Sequence, residues 1–302
     1  MKLHSKLIFT AFFLLGINSF AQEDEDTKSN IQTYTPSKLL DKGQWDIKFF
    51  NNLYTETSFR SNGVKGDKPR ENYFTSTIEA FTGISNNNRI NIGAIIEYRS
   101  NTIGDRSVFS VFSLNDSETA RRGITSFAPA IKIQPFENIG NFSIQSAIHI
   151  PLVKNETKDG VFLDQASYTF QNRFFYDYTL PSGNWQLFTE LNTEYNFGKK
   201  EVNTFDAQNR KTTLEGSFAT NTFVVAPGLF MSYFPTDKST ILGFLQHSQR
   251  FGDFTQNFTT LGFGGKYQLN QTLNLEVLYG KFIRGNDTGL GQSFNIGLRA
   301  LF

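Results

Sequence analysis

The chain ends on a stretch in which polarity alternates residue by residue. Phe294, Ile296, Leu298, Ala300 and Phe302 fall on one side, and Ser293, Asn295, Gly297 and Arg299 on the other. A period of two belongs to a β-strand with one apolar and one wet face. A chain that stops inside such a strand needs a partner for its outer edge, and closing the sheet into a barrel supplies one. The same alternation recurs from residue 43 onward and predicts twelve strands, at 44–56, 72–84, 89–100, 122–135, 141–152, 165–180, 185–197, 218–234, 239–250, 257–270, 272–284 and 291–302. The connections alternate in length. Those at 85–88, 136–140, 181–184, 235–239 and 270–271 are short and rich in turn formers. Between them lie longer ones at 57–71, 101–121, 153–164, 198–217, 251–256 and 285–290. An even number of strands with this rhythm predicts an all-β, antiparallel up-and-down β-barrel with both chain ends on one side.

The phase of each strand sorts its side chains. In the first, Trp45, Ile47, Phe49 and Leu53 point out, leaving Asp46, Lys48, Asn52, Tyr54 and Glu56 inside; in the third, Ile90, Ile92, Ala94, Ile96 and Tyr98 point out, with Glu97 and Arg99 inside. The same rule turns Glu79, Lys132, His149, Arg173, Asp177, Glu190, Glu194, Lys266, Glu276 and Arg299 inward. A Lys or Arg on a lipid-facing position at mid-bilayer costs about 2–4 kcal/mol, so this sorting points to a barrel whose outer surface meets lipid. Lys281 is the main exception, and it falls near the outer rim, where that cost vanishes. The ninth strand has no clear phase. Phe50, Tyr54, Phe81, Phe175, Phe188, Phe230 and Phe282 also turn inward, which predicts a constricted interior, between a side-chain-filled eight-stranded barrel and an open porin. Trp45, Tyr178, Trp185, Tyr233 and Tyr267 near the inner ends, with Tyr98, Tyr168, Tyr195 and Tyr279 near the outer ends, read as interfacial belts.

Composition agrees with the pattern. Aromatic residues make up 15%, with 33 Phe and 11 Tyr, and no run reaches the length of a transmembrane helix, so a membrane-spanning chain must span with strands. Residues 1–21 read as a cleaved signal peptide: Lys2 and Lys6, a short apolar run at 7–16, then Ser19-Phe20-Ala21. Residues 22–42, with the acidic run Glu23-Asp24-Glu25-Asp26, read as a short periplasmic tail, too short for a plug domain, and 43–302 as the barrel. A net charge of +1 excludes an electrostatic nucleic-acid binder. The absence of Cys excludes disulfide scaffolds and thiolate chemistry, and with two mature histidines no metal cluster or cofactor is expected.

Phe127-Ala-Pro-Ala-Ile131 and Val225-Ala-Pro-Gly-Leu229 share a pattern, and proline in a strand predicts a bulge or bend, or chance alone. The second outer connection holds Val108, Phe109, Val111 and Phe112, oddly apolar for an exposed loop. It reads as a lid folded over the mouth or as a hairpin extension of its strands. The fourth, from Lys199-Lys200 to Arg210-Lys211, reads as a solvated rim. The mixed inward charges, interleaved in sign, show no single-sign selectivity ring.

The alternating end with its terminal aromatic, carried by Phe294, Ile296, Leu298 and Phe302, resembles the C-terminal signal of bacterial outer-membrane barrels, which implies recognition by the barrel-assembly machinery. With its signal peptide, twelve strands and lack of a plug, the mature chain resembles small outer-membrane barrels of Bacteroidota, and among them a transporter-like group named after a phenol-degradation pathway. That implies location in outer-membrane lipid and passive passage or binding of a small, hydrophobic solute. The outer-membrane phospholipases also have twelve strands, but there the His and Ser lie two apart on one face. Here His247 and Ser248 are adjacent and project from opposite faces, so no enzyme is expected. Two further readings remain: a non-conducting structural or surface-interaction barrel and, more remotely, a lipid hydrolase. On the channel reading, Lys48, Glu79, Glu97, Arg99, Lys132, His149, Arg173, Glu190, Glu194, Lys266, Glu276 and Arg299 line the lumen.

Overall fold

The computed structural model describes residues 35–113, 117–198, 203–205, 211–213, 221–252 and 254–302. The expected signal peptide, the acidic run, and Lys199, Lys200 and Arg210 lie outside them. Twelve long strands form one antiparallel sheet: β1 (Trp45–Ser61), β2 (Val64–Gly83), β3 (Ile90–Thr102), β4 (Ala120–Ile133), β5 (Phe142–Pro151), β6 (Thr169–Thr179), β7 (Trp185–Asn196), β8 (Thr222–Thr236), β9 (Ser239–Gly252), β10 (Gln256–Gln268), β11 (Leu273–Asn286) and β12 (Gln292–Leu301). Each strand pairs with the next, and β1 also pairs with β12, from Asp46 opposite Leu301 to Thr55 opposite Gln292. The sheet is therefore closed. The Trp45 N–H donates to the Phe302 carbonyl at 2.6 Å and the Phe302 N–H returns to the Trp45 carbonyl at 3.0 Å, so the terminal aromatic completes the seam.

Register confirms the alternation. Phe49, Ile78, Ile96 and Phe127 are successive partners across β1 to β4, and all are exposed on the outer wall. Phe294, Ile296, Leu298 and Phe302 share that surface. In β9, Ile241 and Leu245 point out and Leu242, Phe244 and Gln246 point into the lumen, which resolves the phase the sequence left open.

Two local features depart from expectation, and a third concerns the glycines of the wall. The first outer connection is no loop of fifteen residues. β1 and β2 continue to Ser61 and Val64 and turn on Asn62 and Gly63 (φ 49° and 80°), the left-handed pair that a two-residue hairpin demands. Pro129 and Pro227 make no bulge. Each leaves a gap in the ladder on one side, between Phe127 and Ala130 against β5 and between Val225 and Gly228 against β9, and the register continues unshifted. A missing N–H donor accounts for such a gap. Finally, glycine in the wall makes room for rings. An added Cβ at Gly262 would lie 2.2 Å from the Phe244 ring and 2.4 Å from the Tyr279 carbonyl, so the Phe244 ring lies flat over β10.

Candidate functional site

The lumen holds a cavity of about 720 Å³. A chain of ion pairs borders it, built from residues that alternation turned inward on five strands. Glu190 on β7 takes the Arg173 Nε at 2.7 Å, and Arg173 Nη1 reaches Glu79 on β2 at 3.5 Å. Glu79 pairs with Lys48 at 3.3 Å, Lys48 with Asp46 at 3.7 Å, and Asp46 with Arg299 on β12 at 2.8 Å. Since β6 and β2 are not neighbours in the sheet, the Arg173–Glu79 contact crosses the interior. It cuts off the sector behind β3 to β5, where Ile95, Ala128 and Ala147 pack together.

Beside the charges an aromatic row begins. Phe175 on β6, Phe188 on β7, Phe230 on β8 and Phe244 on β9 follow one another with ring centroids 6.0, 5.2 and 5.6 Å apart. Phe188–Phe230 and Phe230–Phe244 are directly opposed cross-strand pairs, the geometry in which aromatic side chains reinforce a sheet. Phe258, Phe282 and Tyr54 form a second group, with centroids 4.5 and 4.7 Å apart. The cavity lining is thus both aromatic and ionic, with rings and ion pairs carried by the same strands.

Both ends are narrowed by chain that is not part of the wall. At the inner mouth, residues 35–42 fold inward instead of trailing away. Leu40 packs against Phe81 and Leu301, its N–H donates to Asn91 Oδ1 at 3.2 Å, and the Thr35 hydroxyl donates to Asp177 at 2.8 Å. Lys132 Nζ donates to the carbonyls of Pro36 and Lys38, the latter at 2.9 Å. The expectation of a simple tail fails for these residues, because Leu39 and Leu40 find apolar cover that only the barrel mouth offers.

At the outer mouth the third outer connection turns in. Its small hairpin, Thr157–Lys158 against Val161–Phe162, turns on Asp159 and Gly160 at positive φ. Val161 has no exposed surface and Leu163 4%. Inward-facing residues of β3 and β4 hold it. Asn101 Nδ2 donates to the carbonyls of Phe162 and Leu163 at 2.9 and 3.1 Å, and Arg121 donates to those of Asn155, Glu156 and Val161 at 2.8–3.0 Å. Arg99, which also pairs with Glu97, reaches Asp164 at 3.1 Å. Burial pushes the Asp164 carboxyl above its ordinary value, against the pull of the Arg99 guanidinium.

In its described residues the second outer connection is neither a lid over the mouth nor a hairpin extension of its strands. Val108, Phe109, Val111 and Phe112 form a 3-10 turn (Val108–Phe112) on the outside of the wall. There the Ser100 hydroxyl donates to the Val111 carbonyl at 2.6 Å, Asn72 donates to those of Arg106 and Ser107 at 3.3 Å, and the Phe112 ring stands 5.0 Å from Phe74. The reason is the outward polar stripe Thr55, Asn72, Ser100 and Thr102 at the outer end of β1 to β3. It is buried beneath the turn rather than left against lipid.

All twelve residues expected in the lumen occupy inward register positions. Lys48, Glu79, Lys132, Arg173, Glu190, Lys266, Glu276 and Arg299 line the cavity, with Lys266 and Glu276 paired at 2.8 Å. Glu97 and Arg99 sit beneath the third outer connection. His149 meets Gln171 at 3.4 Å, and Glu194 accepts from Gln171 and Asn192. Phe244 was not legible, since it depends on the phase of β9; Phe258 shares the inward face of Lys266 on β10, so the signal for it was present. His247 contacts Thr259 at 2.9 Å, while its neighbour Ser248 is opposed to the inward Phe258. Among the described residues no group of His, Asp and Glu could hold a metal ion.

Residues 82–300 match the family described as "Putative MetA-pathway of phenol degradation". No curated protein matches the sequence. Among solved structures, an outer-membrane channel from Pseudomonas putida F1 is similar over 88% of this chain and 98% of its own, with a TM-score of 0.67 at 10% identity. The β domain of the Bordetella autotransporter BrkA is similar over 87% and 100%, with a TM-score of 0.56 at 14% identity. The fold is that of an outer-membrane β-barrel.

Proposed function

We propose that this chain, which belongs to the phenol-degradation MetA-pathway family, forms a narrow passive channel through the outer membrane for a small solute with substantial apolar surface. The observation that carries the reading is the cavity of about 720 Å³ in the lumen, lined by a row of four phenylalanines and by a chain of ion pairs. A barrel whose interior were only structural has no need of such a space: apolar packing would fill it at the density of other protein interiors. The match to a barrel that is a channel in Pseudomonas putida F1 supports the same reading. On this reading the solute moves down its own gradient. The barrel lies in outer-membrane lipid, is inserted by the barrel-assembly machinery through Phe294, Ile296, Leu298 and Phe302, and is not an enzyme.

Planar bilayers test this directly. The refolded exported chain is expected to give discrete, small-conductance openings, and vesicles containing it to take up small aromatic solutes faster than protein-free vesicles. Silence in both assays from folded, inserted protein would leave the non-conducting barrel as the better account. Replacing His247 with Ala is expected to reveal no lipid hydrolysis to lose.

A further inference from the structure

The ion pairs of the cavity do not balance at one corner. Five cations line it, Lys48, Lys132, Arg173, Lys266 and Arg299, against the four carboxylates Asp46, Glu79, Glu190 and Glu276. Each cation but one has a carboxylate partner within 4 Å. The exception is Lys132. Its amine donates to two backbone carbonyls, those of Pro36 and Lys38, and no carboxylate among the described residues lies within that distance, so a positive charge there gains from an anion entering the cavity.

A second, independent observation lies beside it. Gln145, on β5, is directly opposed to Lys132 on one side and to Arg173 on the other. Its side chain is 3% exposed, it lines the cavity, and its Nε2 donors have no partner among the described residues. A buried donor left unpaired costs about 1–3 kcal/mol, so it persists where something occupies it. Lys132, Gln145 and Arg173 thus form a row of donors across three adjacent strands, with an excess positive charge at one end. The row abuts aromatic surface at once: Lys132 Nζ is 5.3 Å and Arg173 Cζ 5.0 Å from the centre of the Phe175 ring, where the phenylalanine row begins.

We propose that this corner is an anion subsite, and that the solute it selects is a small aromatic carboxylate, its carboxylate on Lys132 and Gln145 beside Arg173 and its ring along Phe175, Phe188 and Phe230. The proposal rests on the reading of the lumen as a solute path and narrows it. A neutral hydrocarbon leaves the Gln145 and Lys132 donors unanswered, and a phenol offers them one neutral acceptor oxygen and no charge. A planar carboxylate offers two oxygens to them.

The test compares three ligands of one size, benzoate, benzyl alcohol and benzylammonium, by titration calorimetry on the full exported chain in detergent at neutral pH. Benzoate is expected to bind at least about tenfold more tightly than either of the others, the scale of one charge-assisted contact. Gln145→Glu fills the subsite with a carboxylate of its own and removes that preference. Lys132→Met does the same, and because Lys132 also holds residues 36–38, the Gln145 variant keeps the result readable if the inner mouth loosens. Benzyl alcohol binding as tightly as benzoate, or an unchanged preference in Gln145→Glu, would overturn the proposal. Conductance separates the two claims: openings without benzoate preference sink the subsite alone, and benzoate binding without openings sinks the channel while the subsite stands.

Discussion

The outer mouth offers the sharpest test, because sequence and structure nominate different segments to close it. Arg99 is the pivot. It joins the wall to the inward-folded third outer connection through Asp164 at 3.1 Å, and removing one partner of a buried pair costs about 3–5 kcal/mol, chiefly as the penalty on the charge left behind. In Arg99→Met that penalty falls on the docked state alone, since the carboxylate of an undocked Asp164 is hydrated. Moving a two-state element from 99:1 to 1:99 takes about 5.5 kcal/mol, so one docked 99:1 is held by about half of that. A loss of 3–5 kcal/mol therefore leaves the connection undocked most of the time.

The assay is single-channel recording at neutral pH. Arg99→Met is expected to raise mean conductance or open fraction. Methionine is also smaller than arginine, so a wider bore could mimic the effect. Adding Asp164→Asn excludes this: asparagine needs no cation, the connection docks again, and conductance returns towards that of the unaltered protein although the bore at residue 99 stays widened. Deleting 105–112, the stretch with Phe109 and Phe112, is expected to leave conductance unchanged because it lies outside the wall. The reasoning fails if the deletion opens the channel while Arg99→Met does not, or if Asp164→Asn restores nothing.

Acid is expected to close the same mouth. The Asp164 carboxyl is raised in the docked state, so that state binds the proton more tightly, and docking gains as pH falls through the raised value towards the ordinary 3.8. Open fraction should fall over that window, and Asp164→Asn, already neutral, should flatten the response. At the inner mouth, Leu40→Ala removes a buried contact with Phe81 and Leu301 at a cost of about 2–5 kcal/mol. It should expose residues 35–42 to protease and raise conductance while strand content by circular dichroism is unchanged. In the wall, Gly262→Ala drives a methyl into the Phe244 ring and the Tyr279 carbonyl. Overpacking of that kind costs about 1–3 kcal/mol and should lower the thermal midpoint in detergent; an unchanged midpoint would mean that the ring is not held over β10.

The wall was legible because a membrane barrel imposes one rule on every residue. Each side chain faces lipid or lumen, and a wrong choice for a charge is expensive. Hence Lys48, Glu79, Arg173 and Arg299 could be turned inward without coordinates. β9 resisted because the sequence around Phe244 to Ser248 mixes apolar and polar residues on both faces, and Phe244 was lost with it. The Asn62-Gly63 signal was present and strong, but lay inside what read as a loop. Residues outside the wall obey no such rule. Whether Phe109 or Val161 turns inward depends on what each would cover, and that is a property of partners far along the chain. Asn72 and Thr102 call the second connection outward; Asn101 and Arg121 draw the third one in.

The bore of this barrel is therefore not set by its strand number. Twelve strands would leave a wider passage, but the Arg173–Glu79 contact spans the interior, and the space behind it is packed with Ile95, Ala128 and Ala147. Each ion in the chain has a partner, so the strut presents little net field to a neutral ring along the phenylalanines, whereas Lys132, outside the strut, has no carboxylate within 4 Å among the described residues. The fixed parts, strut and aromatic row, then decide what can pass, whereas the segments at the two mouths, held by a few hydrogen bonds and one or two buried side chains each, decide when. A substitution in Arg173 should accordingly change which solutes cross, and one in Arg99 or Leu40 should change how often the path is open, with little exchange between the two effects.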